Sequence, residues 1–480
     1  MLRLTRRGNR QVLVDGFSHT RSRYLSYLRS LAGSAERNMF PGRQEREVGD
    51  DDRKREWLDV KERAAVVVDT VSDLDLSFLV RESEGWPVCG IQHNGIPLHP
   101  PGTNQKGGKV AVARSYGGVT RDEAWSQFLL RHVQPDDLVH YYTKVVYTRG
   151  TAAGFEKRLR EQTTRKCVSI LRMDFDGVVR KCGPEVVLSR LANILPVDTS
   201  KLPSLALDIY EQISQLKFSK VSSAGAPYWK PKQPLGMSQA LECGIPVIFD
   251  AIMKGTVTEL MKEQPELFLV AANNKTDRYE VEKLGDKTRP YFQLPLHWQA
   301  LFSCLSQPFT HALKLFHESG TCLNAYGMSW AHGGGQKLYT RASKLARLGK
   351  KGGRPFAALY GDDADVYYRD HKTGQLMRVC PDFRQMDGSV DRDTVSVAVQ
   401  YILRCFLDAH PESAESMPFW EEVGKWWVIF ATNPCFVVQG TDVWRKPQAD
   451  GLMSGVVGTT FFDTVKSAVA YDRFFDMVHG

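Results

Sequence analysis

The chain has 480 residues, 42% hydrophobic and 25% charged, an ordinary globular composition that argues against a disordered or fibrous protein. Lys plus Arg number 63 against 55 Asp plus Glu, a net charge of +8, which suits a phosphate-bearing partner if the excess is concentrated in one channel. Nine cysteines, scattered from Cys89 to Cys435 without metal-ligand spacing, read as reduced cytosolic thiols and not as a disulfide framework or zinc site.

Residues 1–35 are rich in arginine (Arg3, Arg6, Arg7, Arg10, Arg21, Arg23, Arg29) with Asp15 their one acid. This reads as a basic arm of a nucleic-acid enzyme or as a transit peptide. Gly42 to Glu62 is dense in charge, a solvated linker or exposed helix, and the chain turns globular from about Ala64. Pro100, Pro101, Gly102, Gly107 and Gly108 mark a long loop. No apolar run approaches the roughly 18 residues of a transmembrane helix. The longest, Trp426 to Val438, is broken by Asn433 and Pro434.

Cys167 to Val178 is a strand-like run ending in Asp174-Phe-Asp176-Gly177. Ser222-Ser223-Ala-Gly225-Ala-Pro227-Tyr228, with Lys230 and Lys232 behind it, is a loop of small residues able to press its backbone on a phosphate chain. Lys275, Arg278, Lys283, Lys287 and Arg289 follow. On an extended strand 287 and 289 point the same way, so two cations converge on one anion; a solvated face has the same composition. Phe356 to Tyr360, Gly361-Asp362-Asp363 and Val366 to Tyr368 read as a hairpin with acidic residues at its turn. Met377 to Pro381 is a further strand, leading to Asp382 and, one turn later, Asp387-Gly-Ser389. Ser389 to His410 has helical spacing, with Asp387 or Ser389 as its cap. Gly451 to Gly458 is a glycine-rich turn that feeds a helix over Thr459 to Val478, with Thr459 and Asp463 one turn apart.

Adjacent carboxylates on a tight hairpin are what hard divalent cations require, and two such cations drive nucleotidyl transfer. Gly-Asp-Asp alone also fits a surface turn. Asp382 at a strand end is a second carboxylate source for Asp362.

Together these segments resemble the RNA-dependent RNA polymerases of positive-strand RNA viruses over Ser222 to Asp463. Ser222 to Tyr228 resembles motif G and Lys275 to Arg289 motif F. Asp382 to Asp387 resembles motif A, Ser454 to Asp463 motif B, and Gly361 to Asp363 motif C. Motif C precedes A and B, a permutation similar to that of permutotetravirus and birnavirus polymerases. The resemblance implies an α+β right-hand polymerase with an antiparallel palm sheet: a charged arm over 1–63, an extension and fingers over 64–220, fingers with motifs G and F over 221–350, and the permuted palm over 351–480.

It further implies Asp362, Asp382 and Asp363 as catalytic and metal-binding residues, with Mg²⁺ as cofactor and Mn²⁺ able to substitute. Lys275, Arg278, Lys287 and Arg289 would grip a ribonucleoside triphosphate. Ser454, Gly455, Thr459, Asp387 and Asp463 would contact the nucleotide, with Asp387 sensing its 2′-hydroxyl. Ser222, Ser223, Gly225, Pro227 and Tyr228 would meet template or nascent RNA. The family carries Asn where this chain has Asp463, so two carboxylates would share one site and one is expected to stay protonated. The short stretch after Asp463 leaves no room for a thumb, which is expected from a downstream segment or a second polypeptide. The host cytoplasm, in a replication complex or virion, is the expected location.

Two other readings stand beside this one. Asp174 and Asp176 resemble the nucleophile and acid/base of haloacid dehalogenase-like phosphatases. An RNA-binding protein with a polymerase-derived fold and no activity would keep the same motifs.

Overall fold

The computed structural model describes residues 55, 74–82, 92–93, 96–97, 134, 136–137, 145–148, 152–175, 178–220, 222–229, 231–275, 277–280, 289–314, 322–325, 328, 333–348, 353–370, 373–383, 386–438 and 442–479. The chain divides into two compact units, Met1–Val66 with Ser115–Val146 and Val67–Arg114 with Tyr147–Gly480. The second unit carries everything that follows, and the divisions expected near residues 220 and 350 fall inside it.

The strands of its two larger sheets are β1 (Val80–Arg81), β2 (Val270–Asn274), β3 (Pro290–Gln293), β4 (Cys322–Asn324), β5 (Phe356–Tyr360), β6 (Asp363–Arg369), β7 (Leu376–Val379), β8 (Phe436–Val437) and β9 (Val443–Arg445). The helices used below are α1 (Ala152–Thr164), α2 (Leu296–Ala312), α3 (Gly334–Arg347), α4 (Arg392–Ala409), α5 (Met417–Thr432) and α6 (Thr459–His479).

One sheet runs β4-β5-β6-β7. β5, β6 and β7 are antiparallel and β4 joins β5 in parallel, an edge that the expected antiparallel palm sheet did not include. Alternation sets its two faces: Ala357, Leu359, Ala364 and Val366 enter the main core, while Phe356, Ala358 and Tyr367 pack with Leu338 and Leu345 of α3. Burial on both faces explains the uninterrupted apolar run of β5. The opposed rings of Phe356 and Tyr367 stack at 4.8 Å, which locks the register. A one-residue slip would exchange the residues that face the main core with those that face α3.

A second sheet runs β1-β9-β8-β2-β3, with β8 and β2 parallel. Beneath both, aromatic rings join three helices. Trp298 of α2 stacks on Trp426 of α5 at 5.6 Å, Phe302 on Trp427 at 5.7 Å, and Trp427 meets Phe462 of α6 at 5.4 Å.

Helix α5 leaves little trace in the sequence beyond the apolar run from Trp426. Its first half carries an exposed polar stripe with Glu421 and Lys425, but its second half, Trp426 to Thr432, is apolar and almost wholly buried, so the helical period fades there. Helix α4 starts at Arg392, and its cap is Asp391, whose Oδ1 accepts from the Thr394 amide at 2.8 Å, not Asp387 or Ser389. The helical run Lys232–Lys254, 23 residues long, is long and apolar enough to compare with a membrane span. Ile245, Ile248, Ala251 and Ile252 of this run bury into the core.

The phosphatase reading fails on topology. Arg172–Phe175 and Val178–Lys181 form a separate two-stranded antiparallel hairpin with Asp174 opposite Val179, in neither larger sheet. Asp176 lies outside the described residues.

Candidate active site

The β5–β6 pairing ends at Tyr360 opposite Asp363, so Gly361 and Asp362 alone make the turn. Gly361 has φ +62°, the conformation a tight hairpin demands at its first central position and one a side chain resists. Helix α6 holds this turn on both sides. The Gly361 amide donates to Thr464 Oγ1 at 2.9 Å, and Ser467 Oγ donates to the Gly361 carbonyl at 2.9 Å. On the other flank β7 pairs antiparallel with β6, Val379 opposite Val366. Continued past the strand end, that register brings Asp382 level with Asp363 at the turn.

Asp362 and Asp382 line one cleft of about 1050 Å³, together with Asp387, Ser454, Gly455 and Thr459. Burial, then the neighbouring Asp363, Asp387 and Asp382, push the Asp362 carboxyl above its usual range. The opposite charge comes from Lys157, Arg158, Lys275 and Arg289 in the same lining. Lys275 and Arg289 sit where β2 ends and β3 begins, tied by the Lys275 amide donating to the Arg289 carbonyl at 2.8 Å.

Between these walls lies a polar network. Ser454 Oγ donates to Asp387 Oδ2, and the Leu452 amide donates to the Asp387 carbonyl at 2.9 Å. Gly455, at φ +91°, lies so close to β3 that a Cβ would stand 3.2 Å from both the Phe292 carbonyl oxygen and Tyr291 Cβ. The Phe292 amide donates to the Ser454 carbonyl at 2.7 Å, so the glycine-rich loop is pinned to the strand that carries Arg289. Asp463 sits beneath, 5% exposed. Burial first, then Asp387 by charge and hydrogen bond, push its carboxyl well above the ordinary value. Its Oδ1 is buried without a protein partner.

A family model for the permutotetravirus RNA-dependent RNA polymerase palm domain matches residues 154–480. The chain belongs to that family. Among solved structures it is similar to the RNA polymerase VP1 of infectious pancreatic necrosis virus, at 17% identity and TM-score 0.52 over 70% of this chain and 44% of VP1. It is also similar to a chain of the birnavirus VP1–VP3 complex, at 17% identity and TM-score 0.51 over 70% of this chain and 45% of that one. The permuted palm thus spans less than half the length of either polymerase, and the likeness shows a shared right-hand fold. No curated protein matches the sequence.

In this permuted palm, residues of the segments that resemble motifs A, B and C line one cleft with Lys275 and Arg289. Asp363 is exposed and is not among the cleft's lining residues. Among the described residues no three acidic, histidine or cysteine side chains gather closely enough to hold an ion outright. Asp362 and Asp382 still fit a hard divalent cation, because they offer carboxylate oxygens to one cleft. Lys287 and the Arg278 side chain lie outside the described residues.

Motif G needs correction. Gly225, Pro227 and Tyr228 are buried and do not line the cleft. The Tyr228 hydroxyl bonds His297 Nδ1 at 2.7 Å, and His297 Nε2 bonds the Leu267 carbonyl at 2.7 Å. A carbonyl only accepts, so Nε2 carries the proton and Tyr228 donates to Nδ1. These residues are the loop's footing, not an RNA-facing surface. Ser222 and Ser223 are half-buried, and Gln293 of β3 donates to the Ser223 carbonyl at 2.6 Å.

Sequence reasoning missed Thr464 and Ser467, whose signal was polar residues interrupting the buried run of α6. It missed Trp427, whose Nε1 donates to the Val457 carbonyl at 2.8 Å and props the motif B loop from below. It also missed Lys157, Arg158 and Gln162 of α1, for which the sequence carried no signal.

Proposed function

We propose that this chain forms the fingers and palm of an RNA-directed RNA polymerase that copies a viral genome in the host cytoplasm, within a replication complex or virion. The observation that carries this reading is the meeting of Asp362 and Asp382 with Lys275 and Arg289 in one cleft, despite a chain order that places motif C first. An RNA 3′-oxygen would bond to the α-phosphorus of a templated ribonucleoside triphosphate, the bond to the β-phosphate oxygen would break, and pyrophosphate would leave.

Lys275 and Arg289, with Arg278 and Lys287 beside them in sequence, would hold the triphosphate. Asp387, oriented by Ser454, would accept a hydrogen bond from the ribose 2′-hydroxyl. Asp463, kept protonated by its burial, would donate to Asp387 rather than repel it. Mg²⁺ or Mn²⁺ held by Asp362 and Asp382, with Asp363 behind them, would supply Lewis acidity at the attacking hydroxyl and at the triphosphate. Ser222 and Ser223 would contact RNA at the edge of the motif G loop. One similar structure is a VP1–VP3 complex, and for this chain a partner polypeptide or a downstream segment would hold the product duplex.

The test is incorporation of ribonucleotides on a primed homopolymer RNA with Mg²⁺ or Mn²⁺, beside Asp362→Ala. Templated incorporation abolished by that substitution is the expected result. Incorporation that survives it refutes the assignment of Asp362, and RNA binding without incorporation by the unaltered chain favours an inactive binder.

A further inference from the structure

Helix α1 belongs to none of the motifs read from the sequence, yet its last turn touches motifs A and B at once. A Cβ on Gly388 would come within 3.3 Å of Gln162 Cα, and one on Gly451 within 3.7 Å of the Gln162 carbonyl oxygen. Gln162, 292 positions from Ser454 in the chain, donates from Nε2 to Ser454 Oγ at 3.1 Å and to the Leu452 carbonyl at 3.1 Å. A carboxamide nitrogen has two hydrogens, so both are committed. Ser454 has one hydrogen, and it is directed at Asp387 Oδ2.

The donors therefore run in one direction, from Gln162 to Ser454 to Asp387. A hydroxyl that already accepts from one side has its own hydrogen steered to the other. Without Gln162, the Ser454 hydroxyl is free to rotate toward solvent in the cleft. Asp387 then loses a donor that orients its carboxylate.

We propose that Gln162 is a positioning residue for ribose selection, setting the Ser454 hydroxyl and through it the Asp387 carboxylate that reads the sugar's 2′-hydroxyl. This rests on the polymerase reading above. A plain structural brace, acting through the Leu452 carbonyl, would lower use of every nucleotide alike. Positioning lowers use of ribonucleotides selectively.

The experiment compares kcat/KM for a ribonucleoside triphosphate and its 2′-deoxy counterpart on one primed RNA template. It uses the full chain, Gln162→Ala and Gln162→Met, the latter keeping bulk without a donor. The ribose preference is expected to fall roughly tenfold in both variants, the scale of one hydrogen bond to a group in a charged network. In a Ser454→Ala background, Gln162→Met should cause no further fall. Variants that lose both activities together, with the preference unchanged, overturn the inference alone. An unaltered chain that incorporates no nucleotide overturns the polymerase reading and the inference with it.

Discussion

The hold of α6 on the Gly361–Asp362 turn can be tested at one atom. Thr464→Val keeps the side chain's shape and removes the oxygen that accepts the Gly361 amide at 2.9 Å. Gly361 is buried, so its N–H is left unpaired at a cost of roughly 1–3 kcal/mol. Ser467→Ala removes the donor to the same residue's carbonyl, which costs about 1 kcal/mol. The two substitutions act on one peptide group pair and should not add. The larger consequence is for chemistry, because Asp362 is the next residue. Misplacing a catalytic group by about 1 Å costs on the order of 100-fold in rate. Thr464→Val should therefore lower kcat for templated incorporation by roughly 10- to 100-fold. KM for the ribonucleotide should move little, since Lys275 and Arg289 lie beside another sheet. Thr464→Ser, which restores the oxygen, should recover most of the rate. A Thr464→Val enzyme that is less stable in urea but keeps its kcat would refute the argument that this contact places Asp362.

Asp463→Asn should preserve ribose selection and raise stability. Because burial and Asp387 raise the Asp463 carboxyl, the folded chain keeps a proton that the unfolded chain releases above the ordinary carboxylate range, so this residue's contribution weakens as pH climbs. The variant's advantage should be absent near pH 3 and grow toward about pH 7; urea melts at both would show it, and an equal advantage at both pH values would sink the assignment. Lys446, 0% exposed, donates to the carbonyls of Asp450 and Gly451, and its burial lowers its pKa to about 7. Here the unfolded chain binds the extra proton above pH 7, so wild-type stability should rise relative to Lys446→Met between about pH 7 and the ordinary lysine value. Denaturant unfolding across that range checks it, and parallel curves would contradict it. Tyr228→Phe removes the hydroxyl that bonds the buried His297 Nδ1 at 2.7 Å and should cost roughly 1–3 kcal/mol of stability with RNA affinity unchanged. A filter-binding assay that shows weakened RNA affinity at full stability would return Tyr228 to the RNA surface.

Much of the palm is legible in the sequence. The hairpin over Phe356 to Tyr368, the strand before Asp382 and the helices after Asp391 and Gly458 all announce themselves through local periodicity and turn residues. The charged residues of the cleft are legible as a combination, because Gly-Asp-Asp or the basic run alone also fits a solvated surface. Helix α5 is less so, since its second half, Trp426 to Thr432, is apolar and buried and has no polar face to set its period. Tyr228 misleads because an aromatic in a small-residue loop looks the same whether it faces a nucleic acid or the core.

Residue order alone pointed to the polymerase family, to its permuted motif order and to the charged residues of those motifs. Tertiary structure decided which polar groups meet: Thr464 and Ser467 with Gly361, Gln162 with Ser454, Tyr228 with His297. The reason is physical. Helices and strands follow from interactions a few residues apart, and those leave a pattern in the chain. A hydrogen bond between residues 103 or 292 positions apart depends on how whole elements dock. In the sequence each partner is only a glycine, a serine, a threonine or a glutamine.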